Sequence, residues 1–229
     1  MALSYSLKPF IPFFICSLIH FYYCYTMELL QKGISKALLM PSLIFAYYFS
    51  SNKMNVKVII ILFLHWWGDI FFIGENTYFY AVFCFWLGDI INFLEFYKNL
   101  NKFNLAYFIT ALFLVSPPVI YYANFMLAKH VEHIMIYVFY GYIIPLSLMV
   151  IFSIMHFLEK KNLTNLLFMI GNMLFIFSDM SVIWVSYTER YDFDSLIIMT
   201  TYVLAETWII NWYLVKENSA VVEKVRKYA

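Results

Sequence analysis

The sequence predicts an all-α bundle of about eight transmembrane helices with both termini cytoplasmic, and two observations carry that reading. Hydrophobic residues make up 64% of the 229-residue chain and charged residues only 13%, whereas a soluble domain is nearer half apolar and a quarter charged. So large an excess cannot be hidden in one core, so the surrounding solvent is lipid. The apolar stretches are also uniform rather than alternating. In hydrocarbon only helices and closed barrels satisfy every backbone group, and uniform runs select helices. A net charge of +1 makes no case for a nucleic-acid partner.

Charged residues punctuate the runs and set the elements in order. The first, 9–25, follows Lys8; its end, Cys24-Tyr25-Thr26, lacks the small-x-small pattern of a signal cleavage site, so it reads as a helix. The next are expected at 35–51, 57–74 and 77–97. A fifth run, 103–123, contains Pro117-Pro118, and a sixth, 132–157, contains Pro145; both are expected to kink. Two more, 163–187 and 195–215, complete the set, with 216–229 a short charged tail expected to be a solvated helix end. The whole chain reads as one transmembrane domain. Trp67-Gly68-Asp69-Ile70 echoes Trp86-Leu87-Gly88-Asp89-Ile90, but the fragments are too short to establish a repeat. Cys16, Cys24 and Cys84 lie inside apolar runs without a CxxC pair and read as reduced packing residues.

Eight spans place both termini on one side. That side collects Lys8, Lys53, Lys57, Lys98, Lys102, Lys160, Lys161, Lys216, Lys224, Arg226 and Lys227, against Lys32, Lys36, Lys129 and Arg190 on the other. By the positive-inside rule the eleven are cytoplasmic.

Four acids lie deep in spans: Asp69, Asp89, Asp179 and Glu206. No lysine or arginine lies in the interior of those four spans. An ionised carboxylate in a bilayer is costly, and intramembrane acids are usually functional. Each must carry or share a proton, hydrogen-bond, or hold a bound cation. Asp69 lies twelve residues after Lys57 and six before Glu75; Asp179 lies eighteen after Lys161 and ten before Glu189. Both therefore sit toward the outer side and can meet if helices three and seven pack together, with Gly68, Gly171 and Ser178 allowing close approach. Asp89 also reads as a neutral acid hydrogen-bonding across helices, and Glu206 lies near mid-membrane. His65, four residues before Asp69, shares its face; it can orient that carboxylate, act as a base, or be a satisfied structural histidine. His20 and His156 read as structural, and no HxxxH or HExxH spacing supports a metal.

The chain resembles the YhhN-like family of lysoplasmalogenases, membrane enzymes of about eight helices. Ser35-Lys36-Ala37-Leu38-Leu39-Met40-Pro41 is close to that family's Lys-Pro-Leu-x-x-Pro opening, and Gly68-Asp69 matches its Gly-Asp motif. Phe85-x-x-Gly88 with Phe93 and Tyr97 follows. Gly171-Asn172-Met173-Leu174-Phe175-Ile176-Phe177-Ser178-Asp179 resembles Gly-Ala-x-Leu-Phe-x-x-Ser-Asp, and Tyr202 with Glu206 resembles Tyr-x-x-x-Gln. The chain departs from the pattern at Ala37, at Glu206, and near Leu94 and Glu95, where a histidine is expected.

The resemblance implies hydrolysis of the vinyl-ether bond of a lysophospholipid, releasing a fatty aldehyde and a glycerophospho-alcohol without a cofactor. Asp69 and Asp179 would be the catalytic pair, supported by His65, Ser178, Glu206 and Asp89. A pair of nearby carboxyls suits that chemistry, one supplying a proton and the other stabilising a cation, as in glycosidases. Lys36 is expected either to take the substrate phosphate or to anchor at the headgroups. Two other readings remain open at this point, a proton- or cation-coupled transporter and a non-catalytic lipid-binding protein. The membrane is either a bacterial plasma membrane or the endoplasmic reticulum, and the oligomeric state is unspecified. The orientation is checked by labelling with an impermeant maleimide in a background without the native cysteines. With the protein in a plasma membrane, Lys129→Cys should label in intact cells and Asn101→Cys only after permeabilisation; the opposite pattern overturns the topology.

Overall fold

The computed structural model describes residues 6–26, 28–74, 77–128, 133–187 and 193–228. These form a 3₁₀ turn, Lys8–Phe10, and eight α-helices: α1 (Ile11–Thr26), α2 (Leu29–Ser50), α3 (Val56–Ile73), α4 (Tyr78–Lys98), α5 (Leu105–Ala128), α6 (His133–Glu159), α7 (Leu163–Tyr187) and α8 (Asp194–Tyr228). No strand occurs among the described residues. Lys129 and Arg190 of the outer basic set, and the depth markers Glu75 and Glu189, lie outside the described residues.

Six helices, α1 and α3 to α7, are long and apolar enough to cross a membrane. The 22 residues of α2 also reach about 33 Å at the usual helical rise, but polar side chains dilute its apolar character and that of α8. Two boundaries differ from the sequence-based expectation. α2 starts at Leu29 rather than near 35, and α8 runs on to Tyr228 instead of stopping near 215. Polarity ends an apolar run but not a helix, and the Gln, Lys and Glu residues at these ends are good helix formers.

The helices close into a ring in the order α1, α2, α3, α4, α6, α7, α8, with α8 returning to α1 and α2, while α5 packs outside on α6. The ring's outer face presents Leu18, Ile19, Phe113 and Leu114 outward, as a lipid solvent requires. Its inner face buries Leu39, Leu43, Leu62, Phe175 and Tyr202.

Three local devices hold the ring. The first repairs backbone broken by proline. Pro41 and Pro145 lie inside α2 and α6; each lacks an N–H and deprives the carbonyl four residues earlier of its partner. Trp66 Nε1 donates to the Ala37 carbonyl at 2.8 Å and Trp86 Nε1 to the Gly141 carbonyl at 3.0 Å. In each case an indole from the neighbouring helix replaces the missing donor, which hydrocarbon cannot do. The second device is reciprocal packing between α3 and α4. A Cβ on Gly68 would stand 2.5 Å from the Phe85 ring, and one on Gly88 would stand 2.6 Å from His65 Nε2. The Gly-Asp echo in the sequence therefore marks two places where one helix's ring lies on the other helix's backbone.

The third is a polar clasp at the end carrying Lys57 and Lys216. Tyr47 and Ser51 donate to the Glu217 carboxylate at 2.7 and 2.8 Å, and Lys57 pairs with Glu95. Asn218 is buried, accepting from Asn52 N–H and donating to the Ser50 carbonyl. The tail expected to be solvated is therefore packed at its start. His20 and His156 are buried as well, bonded to Ser35 and to the Phe96 carbonyl.

Replacing Trp66 by Phe leaves the Ala37 carbonyl unpaired and should lower stability by about 1–3 kcal/mol. Adding Pro41→Ala restores a backbone donor and should recover part of the loss in a detergent melt. A Trp66→Phe protein melting like the native one would overturn the assignment.

Candidate functional site

The ionisable residues read from the sequence come from five helices of the ring and point into its interior. α3 supplies His65 and Asp69, one turn apart on one face; α4 supplies Asp89, α7 Ser178 and Asp179, α8 Glu206, and α2 Lys36. Asp69, Asp89, His65 and Glu206 are each at most 1% exposed, and Asp179 is partly exposed.

Two ion-paired groups make up the site. In the first, Lys36 Nζ lies 3.2 Å from Asp69 Oδ1 and 4.9 Å from the centre of the Phe72 ring. The Tyr202 hydroxyl donates to Asp69 Oδ2 at 3.2 Å. In the second, His65 Nδ1 lies 2.6 Å from Glu206 Oε1, and its Nε2 faces Asp89 Oδ1 at 3.6 Å. The imidazole is wedged between Phe85 and Phe175, with ring centres at 5.3 and 5.5 Å. Asp179 completes the set: the Tyr142 hydroxyl donates to it.

This geometry corrects several expectations. Asp69 is not without a cation, because Lys36 reaches it from α2. The lysine comes from a neighbouring span outside the four that carry the acids, and the early start of α2 places Lys36 about 10 Å along its helix. His65 does not orient Asp69; its partners are Glu206 and Asp89. Asp89 meets His65 across helices at 3.6 Å, an ion-pair contact long for a direct hydrogen bond. α3 and α7 do not pack together. α3 lies between α2 and α4, and α7 between α6 and α8, so Asp69 and Asp179 face one interior from different walls rather than forming a contact pair. The small residues serve other neighbours accordingly. Gly68 receives Phe85, Gly171 lies against Trp208 and Ala205 of α8, and Ser178 donates to the Ile198 carbonyl at 3.0 Å.

Sequence reasoning named Tyr202 only within the family resemblance and gave neither it nor Tyr142 a role in the site. Tyr202 stands four residues before Glu206, a spacing that places both on one face and was a usable signal. Tyr142 is one of 20 tyrosines, and nothing local distinguishes it. Asn92, accepting from Tyr213 at 3.0 Å, lies three residues after Asp89 on the same face. Among the described residues no group of three His, Cys, Asp or Glu side chains is arranged to hold a metal ion.

Lys36→Met removes the counter-charge of an enclosed carboxylate. Because the lysine is itself 18% exposed, the cost should fall at the low end of the usual range, about 3 kcal/mol. Lys36→Met with Asp69→Asn should be more stable than Lys36→Met alone. If the double variant is the less stable in a detergent melt, the pair is not the stabilising partner described.

No curated protein and no solved structure gives a significant match to the chain. The profile of the YhhN family does match, over residues 31–212, from the start of α2 through the buried part of α8. That stretch supplies Lys36, His65, Asp69, Asp89, Asp179 and Glu206, and the chain belongs to the YhhN family.

Proposed function

We propose that the chain is a membrane hydrolase that cleaves the vinyl-ether bond of lysoplasmalogens, giving a fatty aldehyde and a glycerophospho-alcohol. The observation that supports it best is the convergence of four carboxyl groups on one enclosed interior, only one of them beside a lysine. The reading also draws on membership of the YhhN family.

Vinyl-ether hydrolysis needs a proton delivered to an alkene carbon, an anion to stabilise the resulting oxocarbenium ion, and water. Asp69, with an ammonium at 3.2 Å, suits the anionic role, because a neighbouring cation favours the charged carboxylate. Asp179 suits the donor role: its carboxyl accepts from a phenol rather than meeting a cation, and it is partly exposed. The two act on opposite sides of a bound alkenyl group, not as a hydrogen-bonded dyad, with Tyr202 in contact with Asp69. Low dielectric strengthens each of these interactions. On this reading Lys36 also offers its charge to the substrate phosphate.

The chains of ionisable groups Lys36–Asp69–Tyr202 and Glu206–His65–Asp89 also favour a second reading, a proton-coupled transporter. The two are separated by assaying purified protein in liposomes for aldehyde release and for cation-dependent flux.

On the hydrolase reading, Asp179→Asn and Asp69→Asn should each lower aldehyde release from lysoplasmalogen by about 10²–10⁴-fold, with the protein still folded. Near-native turnover by either variant removes that residue from the chemistry.

A further inference from the structure

The proposed chemistry needs Lys36 beside Asp69 and gives Lys32 no task. The two lysines stand four residues apart in the first half of α2, so one face of the helix carries both. Each is tied to a different wall of the ring. Lys36 Nζ meets Asp69 of α3 at 3.2 Å, and Lys32 Nζ donates to Ser195 Oγ of α8 at 2.6 Å. Ser195 is buried, and seven residues further along α8, on the same face, Tyr202 donates to Asp69. The ring interior therefore carries two polar rungs at this end, Lys32–Ser195 and, one turn deeper on α2, Lys36–Asp69–Tyr202. Both lysine side chains stay partly open, Lys36 at 18%. The acid next to the first rung, Asp194, is buried and accepts from the Ser195 N–H, so the open surface presents the lysines and not that carboxylate.

The spacing of the rungs fits one molecule. Lys32 and Lys36 differ in depth by about 6 Å at the usual helical rise, comparable to the separation a three-carbon glycerol sets between an ether oxygen on its first carbon and a phosphate on its third. An ether oxygen held beside Asp69 thus puts the phosphate beside Lys32. Resting on the hydrolase reading above, we infer that Lys32, aimed by Ser195, is the second half of a two-lysine clamp on the substrate phosphodiester and selects phosphate-bearing lysolipids over neutral alkenylglycerols. A lysine suits this task as a compact point charge with three N–H donors, so a bond to Ser195 aims it without consuming it. The clamp also sets direction. The headgroup lies at the end where α2 and α8 begin, and the alkenyl chain continues into the ring. Ser195 is a positioning residue in this arrangement, since it acts through the lysine.

Two measurements on purified full-length protein test the clamp, in a non-ionic detergent where no bilayer headgroup competes for the lysine. The first compares aldehyde release from 1-alkenyl glycerophosphoethanolamine and from 1-alkenylglycerol, which lacks the phosphate. Lys32→Gln should lower the preference for the phosphate-bearing substrate about tenfold or more, through KM rather than kcat. Lys32→Arg keeps the charge and should recover most of that preference. Ser195→Ala, which only loosens the lysine, should give a smaller loss in the same direction. The second measurement is binding of tritiated 1-alkyl glycerophosphoethanolamine, whose saturated ether has no alkene carbon to protonate, with 1-alkylglycerol as competitor. Lys32→Gln should weaken that binding by a similar factor. An unchanged preference in Lys32→Gln overturns the inference. So does an equal loss on both substrates in Lys32→Gln and Ser195→Ala, which is the pattern of a merely structural lysine. A native protein that releases no aldehyde overturns the hydrolase reading, while the binding measurement still decides on the clamp, so the two failures are distinguishable.

Discussion

Hydrocarbon cannot solvate a charge or an open carbonyl, and most of this architecture follows from where the chain finds substitutes for water. The strongest case is the Lys36–Asp69 pair, at 3.2 Å in the ring interior. A lone carboxylate there would be expensive. The lysine makes an ionised one tolerable, and it can do so only because α2 lies beside α3 and begins early enough to carry Lys36 inward. His65 and Glu206 solve the same problem across the ring, from α3 to α8. Together these contacts tie three walls of the bundle to its centre.

The backbone obeys the same rule. Prolines in transmembrane helices open carbonyls that lipid leaves unpaired. Here Trp66 and Trp86 close two of them from neighbouring helices. These bonds are directional, so they fix the rotation of α3 against α2 and of α4 against α6 as well as satisfying oxygen atoms. The rotation of α3 decides that Asp69 faces Lys36, and the glycines at 68 and 88 let α3 and α4 approach until ring meets backbone. Packing and site geometry are thus one set of constraints.

The site that results is asymmetric in charge. Asp69 pairs with Lys36 and Glu206 closely with His65, whereas Asp89 meets the same imidazole only at 3.6 Å and Asp179 meets a phenol. An asymmetric cluster suits chemistry in which one carboxyl stays anionic while another passes a proton, because neighbouring groups divide the roles. The YhhN profile covers every member of this cluster, so the family match and the geometry point to the same interior.

Several features were legible in the chain itself: membrane solvent, helical class, eight elements, and the acids and histidine that matter. They were legible because hydrophobicity is a summed property of local runs and because an acid in such a run stands out against its neighbours. Which groups meet was not. Asp69 and Asp179 were expected at similar depth, yet α3 and α7 do not pack together, and depth along a helix says nothing about helix order around a ring. Lys36 read as a phosphate ligand or an anchor, because an apolar-run boundary hid the start of α2. Tyr142 was invisible among the other tyrosines. Partner choice depends on rotation and adjacency of helices, which long-range packing decides, and only the tertiary structure joined Lys36 to Asp69 and His65 to Glu206.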